Sequence, residues 1–302
     1  MIDESYLSYL YLYAAYTKKK VSELVKNKCI DEELSNSGEI FRTWQDATES
    51  LRQIEKDESG AADDCEISEI NSGLIDAIQN NPTIKNTFSG QVLDFGMVEI
   101  DNIIAPQRQV LLDYVDVLTK KIPKNMSEND LLKYCLIPEQ QVPKPRYSRK
   151  GSNSWYFSSP SRDFRFLGGH VKKELTREDI ESTKVGGFPT HAIMLFVGYG
   201  VGCMGATAAN GRVILTNGFH RAYALRSKGI KKIPLLLKKI GNADLDFPSE
   251  IQGLKKDYLL KHPRPIMVKD FFNDDLVRVF KRKQTTTILN VKCDSDKVNL
   301  DL

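Results

Sequence analysis

Residues 210–237 read NGRVILTNGFHRAYALRSKGIKKIPLLL, the pattern of a strand, a helix and a second strand joined by very short turns. The pair Asn210-Gly211 favours a tight turn, after which Arg212 to Thr216 is apolar enough for a strand. Gly218 then lets the chain turn sharply, and Phe219 to Lys228 is expected to be helical, with Ala222, Ala224 and Leu225 available for packing. Gly229 stands where a left-handed helix cap belongs, and Ile233 to Ile240 resumes as a strand. A glycine that opens directly into a helix leaves the N–H groups of the first turn free, and the helix dipole adds positive potential there. That corner attracts an anion. Arg221, on the first turn, could add bidentate contacts to a phosphate.

Upstream, His191 to Gly198 is a compact apolar run, expected as a buried strand that joins Arg212 to Thr216 in a hairpin. Its apolar part, Ala192 to Val197, is far shorter than the roughly 18 residues that a membrane span needs. The series Gly198, Gly200, Gly202 and Gly205 has no helical pattern after it, so it is expected as a hairpin loop rather than a dinucleotide-binding turn. Further upstream, Gly96 to Asp101 reads as a strand, Ala105-Pro106 as a turn, and Val110, Leu111, Tyr114, Val115 and Leu118 recur at helical spacing before Pro123.

Residues 122–185 read as an irregular insertion, with Pro138, Pro143 and Pro145, the cations Lys144, Arg146, Arg149 and Lys150, and then a serine- and aromatic-rich stretch. Within it Thr176 is a plausible N-cap. At the N-terminal end, residues 4–28 carry Tyr6, Leu7, Leu10, Leu12, Ala14, Ala15, Val21 and Leu24, which predicts a helix or helix pair. Asp46 to Asp76 holds ten acids, and Lys56 to Asp64 has a linker's composition. Beyond Gly241 a helix is expected over Ser249 to Lys261, followed by a basic patch of Arg278, Lys281, Arg282 and Lys283 beside Phe280. The expected class is α+β: a helical accessory region over 1–90, a central domain over 91–240, and a C-terminal α/β extension over 241–302.

The whole-chain numbers fit a folded protein. The chain has 302 residues, 41% hydrophobic and 27% charged, with 43 Lys and Arg against 40 Asp and Glu. A net charge of +3 creates no global field for nucleic acid, so any such role must be local. The cysteines, at 29, 65, 135, 203 and 293, are odd in number and include no C-x-x-C pair, so neither a disulfide framework nor a zinc site is expected. Without a basic segment ahead of an apolar core at the N-terminus, the expected compartment is the cytoplasm, with no membrane association.

Asn210 to Leu237 resembles the heart of the ParB/sulfiredoxin-like superfamily, in which a hairpin strand leads into a G-x-x-R or G-x-H-R turn, a helix and a Val/Ile-Pro strand. Val98 to Arg108 (VEIDNIIAPQR) resembles the opening strand and loop of ParB-type domains, and His191 to Gly198 fits the strand before the hairpin. The resemblance implies a nucleotide ligand, ATP or CTP with Mg²⁺, whose phosphates meet Gly218, His220 and Arg221, with Asn217 where an aspartate is frequent. It also implies that Gln107 and Arg108 help close the site. Glu99 and Asp101 on or near the first strand are then candidates for a base or for holding Mg²⁺, and His220 for proton transfer. No other metal site is expected.

The departures narrow the activity. Phe219 occupies the place of the sulfiredoxin cysteine, which argues against sulfinic-acid reduction, and Cys203 nearby reads as a small buried thiol. Nothing after Ile240 resembles the ParB helix-turn-helix domain. The leading expectation is a nucleotide-binding protein, with hydrolysis or phosphoryl transfer open as an NTPase or phosphotransferase activity. Two alternatives stand beside it. One is a DNA- or RNA-binding protein or nuclease of a genome-maintenance or phage-defence system, acting through Lys144, Arg146, Arg149 and Lys150 with Tyr147, Trp155, Tyr156 and Phe157. The other is a non-catalytic module with a decayed pocket that docks a protein partner through its N-terminal helical region.

Overall fold

The computed structural model describes residues 6–28, 37–70, 73–137, 143–161, 163–183 and 186–296. Cys29 lies outside them. The class is α+β, and the chain divides into two units: Met1–Pro138 with Val201–Gln284, and Glu139–Gly200 with Thr285–Leu302.

In the first unit the elements run β1 (Tyr6–Leu12), α1 (Lys18–Lys28), α2 (Ser37–Asp57), β2 (Ile67–Ser68), α3 (Leu74–Gln79), α4 (Pro82–Thr87), β3 (Leu93–Glu99) and β4 (Gln109–Leu111). Helices α5 (Leu112–Lys120) and α6 (Glu128–Leu136) follow. The second unit supplies β5 (Arg146–Lys150), β6 (Ser154–Ser159), β7 (Phe164–Lys172), α7 (Arg177–Thr183) and β8 (Ala192–Tyr199). The chain returns to the first unit with β9 (Gly205–Ala209), β10 (Arg212–Asn217), α8 (Phe219–Ser227), β11 (Lys232–Lys239), α9 (Ala243–Asp246), β12 (Glu250–Ile251), β13 (Leu254–Lys255), α10 (Lys256–Lys261) and β14 (Val277–Lys283). Strand β15 (Thr287–Lys292) belongs to the second unit.

A five-stranded sheet in the order β10-β9-β11-β3-β2 carries the central motif. Strands β9 and β10 form the hairpin across Asn210-Gly211, both at positive φ (52° and 74°), as a primed turn requires. The hairpin partner is thus Gly205–Ala209 and not the 191–198 run. A two-residue turn must join strands that abut it, and the small Gly and Ala side chains of β9 hide a strand that β propensity alone passes over. Strand β11 pairs parallel with β9 and antiparallel with β3, burying Ile233, Leu235 and Leu237.

The expectation for residues 6–12 is corrected. They form a strand at the centre of a three-stranded sheet, β14-β1-β4, in which Tyr9, Leu10, Tyr11 and Leu12 are all buried. When both faces of a strand are covered, its sequence is continuously apolar and fits a helical period equally well. Residues 56–64 are likewise not a linker. Ala62 is fully buried, Gly60 N–H donates to Pro263 O, and Asp63 accepts from the buried Arg212 at 2.6 Å. Next to them the buried guanidinium of Arg264 donates to Asp270 (2.6 Å to Oδ1) and Glu58 (2.8 Å), and Lys269 reaches the same Glu58 oxygen at 2.8 Å. The helix expected over 249–261 is a short β12-β13 hairpin followed by α10, the turn being set by Gly253 at φ 79°.

The second unit holds a three-stranded sheet, β15-β6-β5, and a β7-β8 ribbon. The run 192–199 therefore pairs with β7, and it is not buried: Ile193 is 69% and Phe196 53% exposed. The expected insertion at 122–185 is split, since α6 belongs to the first unit, where it packs on β11. Thr176 does cap α7, its Oγ1 accepting from Asp179 N–H at 3.3 Å. Among the described residues no helix is long and apolar enough to cross a membrane.

Candidate functional site

Gly218 is the N-cap of α8, with φ 93° and ψ 18° and no side-chain cap on the helix. A Cβ here would lie 2.5 Å from Met204 Cγ, so glycine is required by the turn and by the close approach of Met204, the residue before β9. Phe219, in the place of the sulfiredoxin cysteine, is buried edge-on against Phe271, with ring centroids 4.9 Å apart.

The side chains expected at the phosphates are mostly committed to the fold. Arg221 Nη1 donates to the carbonyls of Tyr134 and Cys135 at 3.1 and 3.3 Å, tying α8 to the last turn of α6. Both carbonyls lie in the last turn of α6, where a cation complements the negative helix end, and Cys135 O also accepts from Met204 N–H at 2.7 Å. Asn217 Nδ2 donates to Val201 O and Cys203 O, at 3.0 and 2.7 Å, which holds the chain entering β9. His220 Nε2 accepts from Leu111 N–H at 3.0 Å, so the neutral ring carries its proton on Nδ1 and the imidazole joins α8 to β4. Arg221, Asn217 and His220 thus make contacts that build the corner.

The two acids do not come to the corner. Asp101 forms a two-point ion pair with Arg226, one contact at 3.0 Å, and Arg226 in turn lies 4.0 Å from the centre of the Phe272 ring. Arg226 stands eight residues beyond Gly218, about 12 Å along the helix at 1.5 Å per residue. Glu99 pairs in register with Lys232, whereas the row of Asn217 and Gly205 meets β11 at Leu236. Four residues of strand separate the two rows, about 13 Å. Among the described residues no group of three or more His, Cys, Asp or Glu side chains is placed to hold a metal ion.

The backbone that carries Gln107 and Arg108 passes beside the corner. Ile104 bridges Ile214 in parallel, and Leu111 is bound by His220, so the segment 104–111 is fixed at both ends beside the exit of β10 into α8. Gln107 Oε1 is buried there with no hydrogen-bond partner among the described residues. A buried acceptor left unmatched costs about 1–3 kcal/mol. The Arg108 guanidinium lies 5.9 Å from the centre of the Tyr16 ring, whose hydroxyl burial pushes up to about 12.

Cys203 and Cys135 are buried, and burial pushes their thiols up to about 11 and about 12, so both are inert packing groups. At the opposite end of α8 lies an open cleft of about 1070 Å³ bounded by Lys120, Lys124 and Lys228, a feature dispersed over two helix ends and invisible as a motif. In the second unit Arg146, Arg149 and Lys150 are exposed on β5, with Lys144 exposed just before it. The 278–283 patch is partly used by the fold. Phe280 is buried against Tyr11, and Arg282 donates to Tyr11 Oη at 2.9 Å.

Comparison with protein-family models, curated proteins and solved structures finds no match for this chain.

Proposed function

We propose that the protein binds a nucleotide, ATP or CTP carrying its own Mg²⁺, at the corner where β10 opens into α8, in the manner of a ParB/sulfiredoxin-like domain. The N–H groups of the first turn of α8 hold the phosphates, and Arg108 supplies the counter-charge. The observation that carries this reading is the unpartnered Gln107 Oε1, buried in a segment pinned at Ile214 and His220 beside that turn. An acceptor there suits a ribose hydroxyl or base amino group, which distinguishes a nucleotide from bare phosphate. With Asp101 paired to Arg226 and His220 Nε2 held by Leu111, the reading is one of binding, and no hydrolytic or transfer step is assigned to Glu99, Asp101 or His220.

Calorimetric titration with ATP, CTP and GTP, with and without Mg²⁺, tests it. Arg108→Ala is expected to weaken nucleotide binding about tenfold or more, the scale of a hydrogen bond to a charged group. Lys124→Ala and Lys228→Ala are expected to leave it unchanged. Absence of binding at millimolar nucleotide, or loss that follows the lysine cleft instead of Arg108, would overturn the reading and favour a module with no working pocket at the corner.

A further inference from the structure

The β15-β6-β5 sheet of the second unit has two unlike faces. Cross-strand register places Tyr147, Phe157 and Leu289 in one row and Arg149, Trp155 and Val291 in another, on the same face. This is the apolar side: Trp155, Phe157, Leu289 and Val291 are half-buried, and Arg149 lies over the Trp155 ring at 5.5 Å while donating to Ser152 O at 2.7 Å. The alternate rows are Lys150-Ser154-Lys292, Ser148-Tyr156-Asn290 and Arg146-Ser158-Ile288. They form the opposite face, on which Arg146, Ser148, Lys150, Asn290 and Lys292 are exposed around the half-buried Tyr156, with Ser154 buried in its own row.

The charge on this face is of one sign. The three strands contain Arg146, Arg149, Lys150 and Lys292 and not a single Asp or Glu. Lys292 is paired at 2.9 Å with Asp294 beyond the strand end, whereas Lys144, Arg146 and Lys150 have no acidic partner among the described residues. Strand β5 is also the last in its sheet, and all five of its residues are exposed, so its outer edge is open. Edge cations are a common guard against strand pairing, but such a guard needs neither an aromatic centre nor an acid-free sheet.

We propose that this polar face is a binding surface for single-stranded nucleic acid. Lys144, Arg146 and Lys150 follow the phosphates along the β5 edge, and Tyr156, flanked by Ser148 and Asn290, gives the bases a stacking surface with hydrogen-bonding groups on either side. Unpaired strands are the fitting class, since a stacking ring cannot reach bases that are already stacked in a duplex. The site is independent of the nucleotide corner, lies in the other unit, and stands or falls without it.

Fluorescence anisotropy of labelled mixed-sequence DNA and RNA oligomers, titrated with the full chain at several salt concentrations, tests the proposal. Three phosphate contacts predict a slope of about −2 in log K against log salt, at about 0.7 per contact for single strands. Arg146→Glu with Lys150→Glu is expected to weaken binding at least tenfold and to flatten the slope toward one contact. Tyr156→Ala is expected to weaken binding about tenfold, the scale of one lost stacking contact, with the slope unchanged. Arg146→Gln with Lys150→Gln repeats the charge test with a milder change and is expected to weaken binding in the same direction, and melting curves verify that each variant folds. Affinity or slope indifferent to Arg146 and Lys150 in folded variants would overturn the proposal. So would duplex DNA bound as tightly as single strands, or a preference for phosphatidylserine vesicles that the same variants abolish.

Discussion

Arg221 and Asn217 donate to carbonyls that no reading of the sequence could pair with them. Tyr134 and Cys135 lie 87 and 86 residues upstream, on a helix inside what reads as an irregular insertion. The motif shows which side chains stand at the corner but not whether tertiary partners already occupy them. Removing the Arg221 guanidinium takes a charged donor from two carbonyls at the end of α6, while Cys135 O keeps its bond from Met204 N–H, so Arg221→Ala is expected to lower stability by about 1.5–3 kcal/mol, measured by urea unfolding. Any loss of ligand binding in that variant would follow from the fold, which is why Arg108 is the informative position. Arg264 makes a similar internal commitment, closing Glu58 and Asp270 into one cluster. Burial opposes ionisation of Glu58, but hydrogen bonds from Lys269 and Arg264 outweigh it and hold the carboxyl below its ordinary value of 4.5. The unfolded chain therefore takes up this proton first as the pH falls. The stabilisation is fully present above the ordinary value and is lost as pH drops through the lower, folded one. Urea midpoints between pH 6 and pH 3 are expected to fall less steeply for Glu58→Gln than for the unaltered chain.

At the level of elements, the strand-glycine-helix-strand unit was legible because each part carries a local signal: a primed turn at Asn210-Gly211, a left-handed glycine at 218, and another after α8 at Gly229. Strand β3 and helix α5 were legible for the same reason. Strand β1 was not, because its partners are β4 and β14, the latter some 270 residues away, and a strand covered on both faces loses its alternation. Strand β8 misleads in the other direction. Its uninterrupted apolar run looks like core, yet Ile193, Met194, Leu195 and Phe196 are all exposed on a two-stranded ribbon. Ile193→Lys and Phe196→Lys are therefore expected to change stability by no more than about 0.5 kcal/mol each. They should also clearly reduce binding of a dye that reports exposed apolar surface. A large loss of stability would show that the ribbon is covered.

Across the whole molecule, the two units divide the features that the sequence set side by side. The glycine corner and its pinned 104–111 segment belong to the first unit, and the acid-free basic sheet to the second. The sheet was half legible. The cations of 144–150 and the aromatics that follow are contiguous, but Lys292 and Asn290 arrive from the far end of the chain on β15. At the corner the strand-glycine-helix geometry was legible, whereas the internal partners of Arg221, Asn217 and His220 were not. The most direct test is a backbone amide NMR titration of the full chain with Mg²⁺-ATP and Mg²⁺-CTP. The account predicts that one of them saturably shifts the amides of Phe219, His220 and Arg221 together with the side-chain amide of Gln107. Shifts confined to other parts of the molecule, or none at millimolar nucleotide, would contradict it.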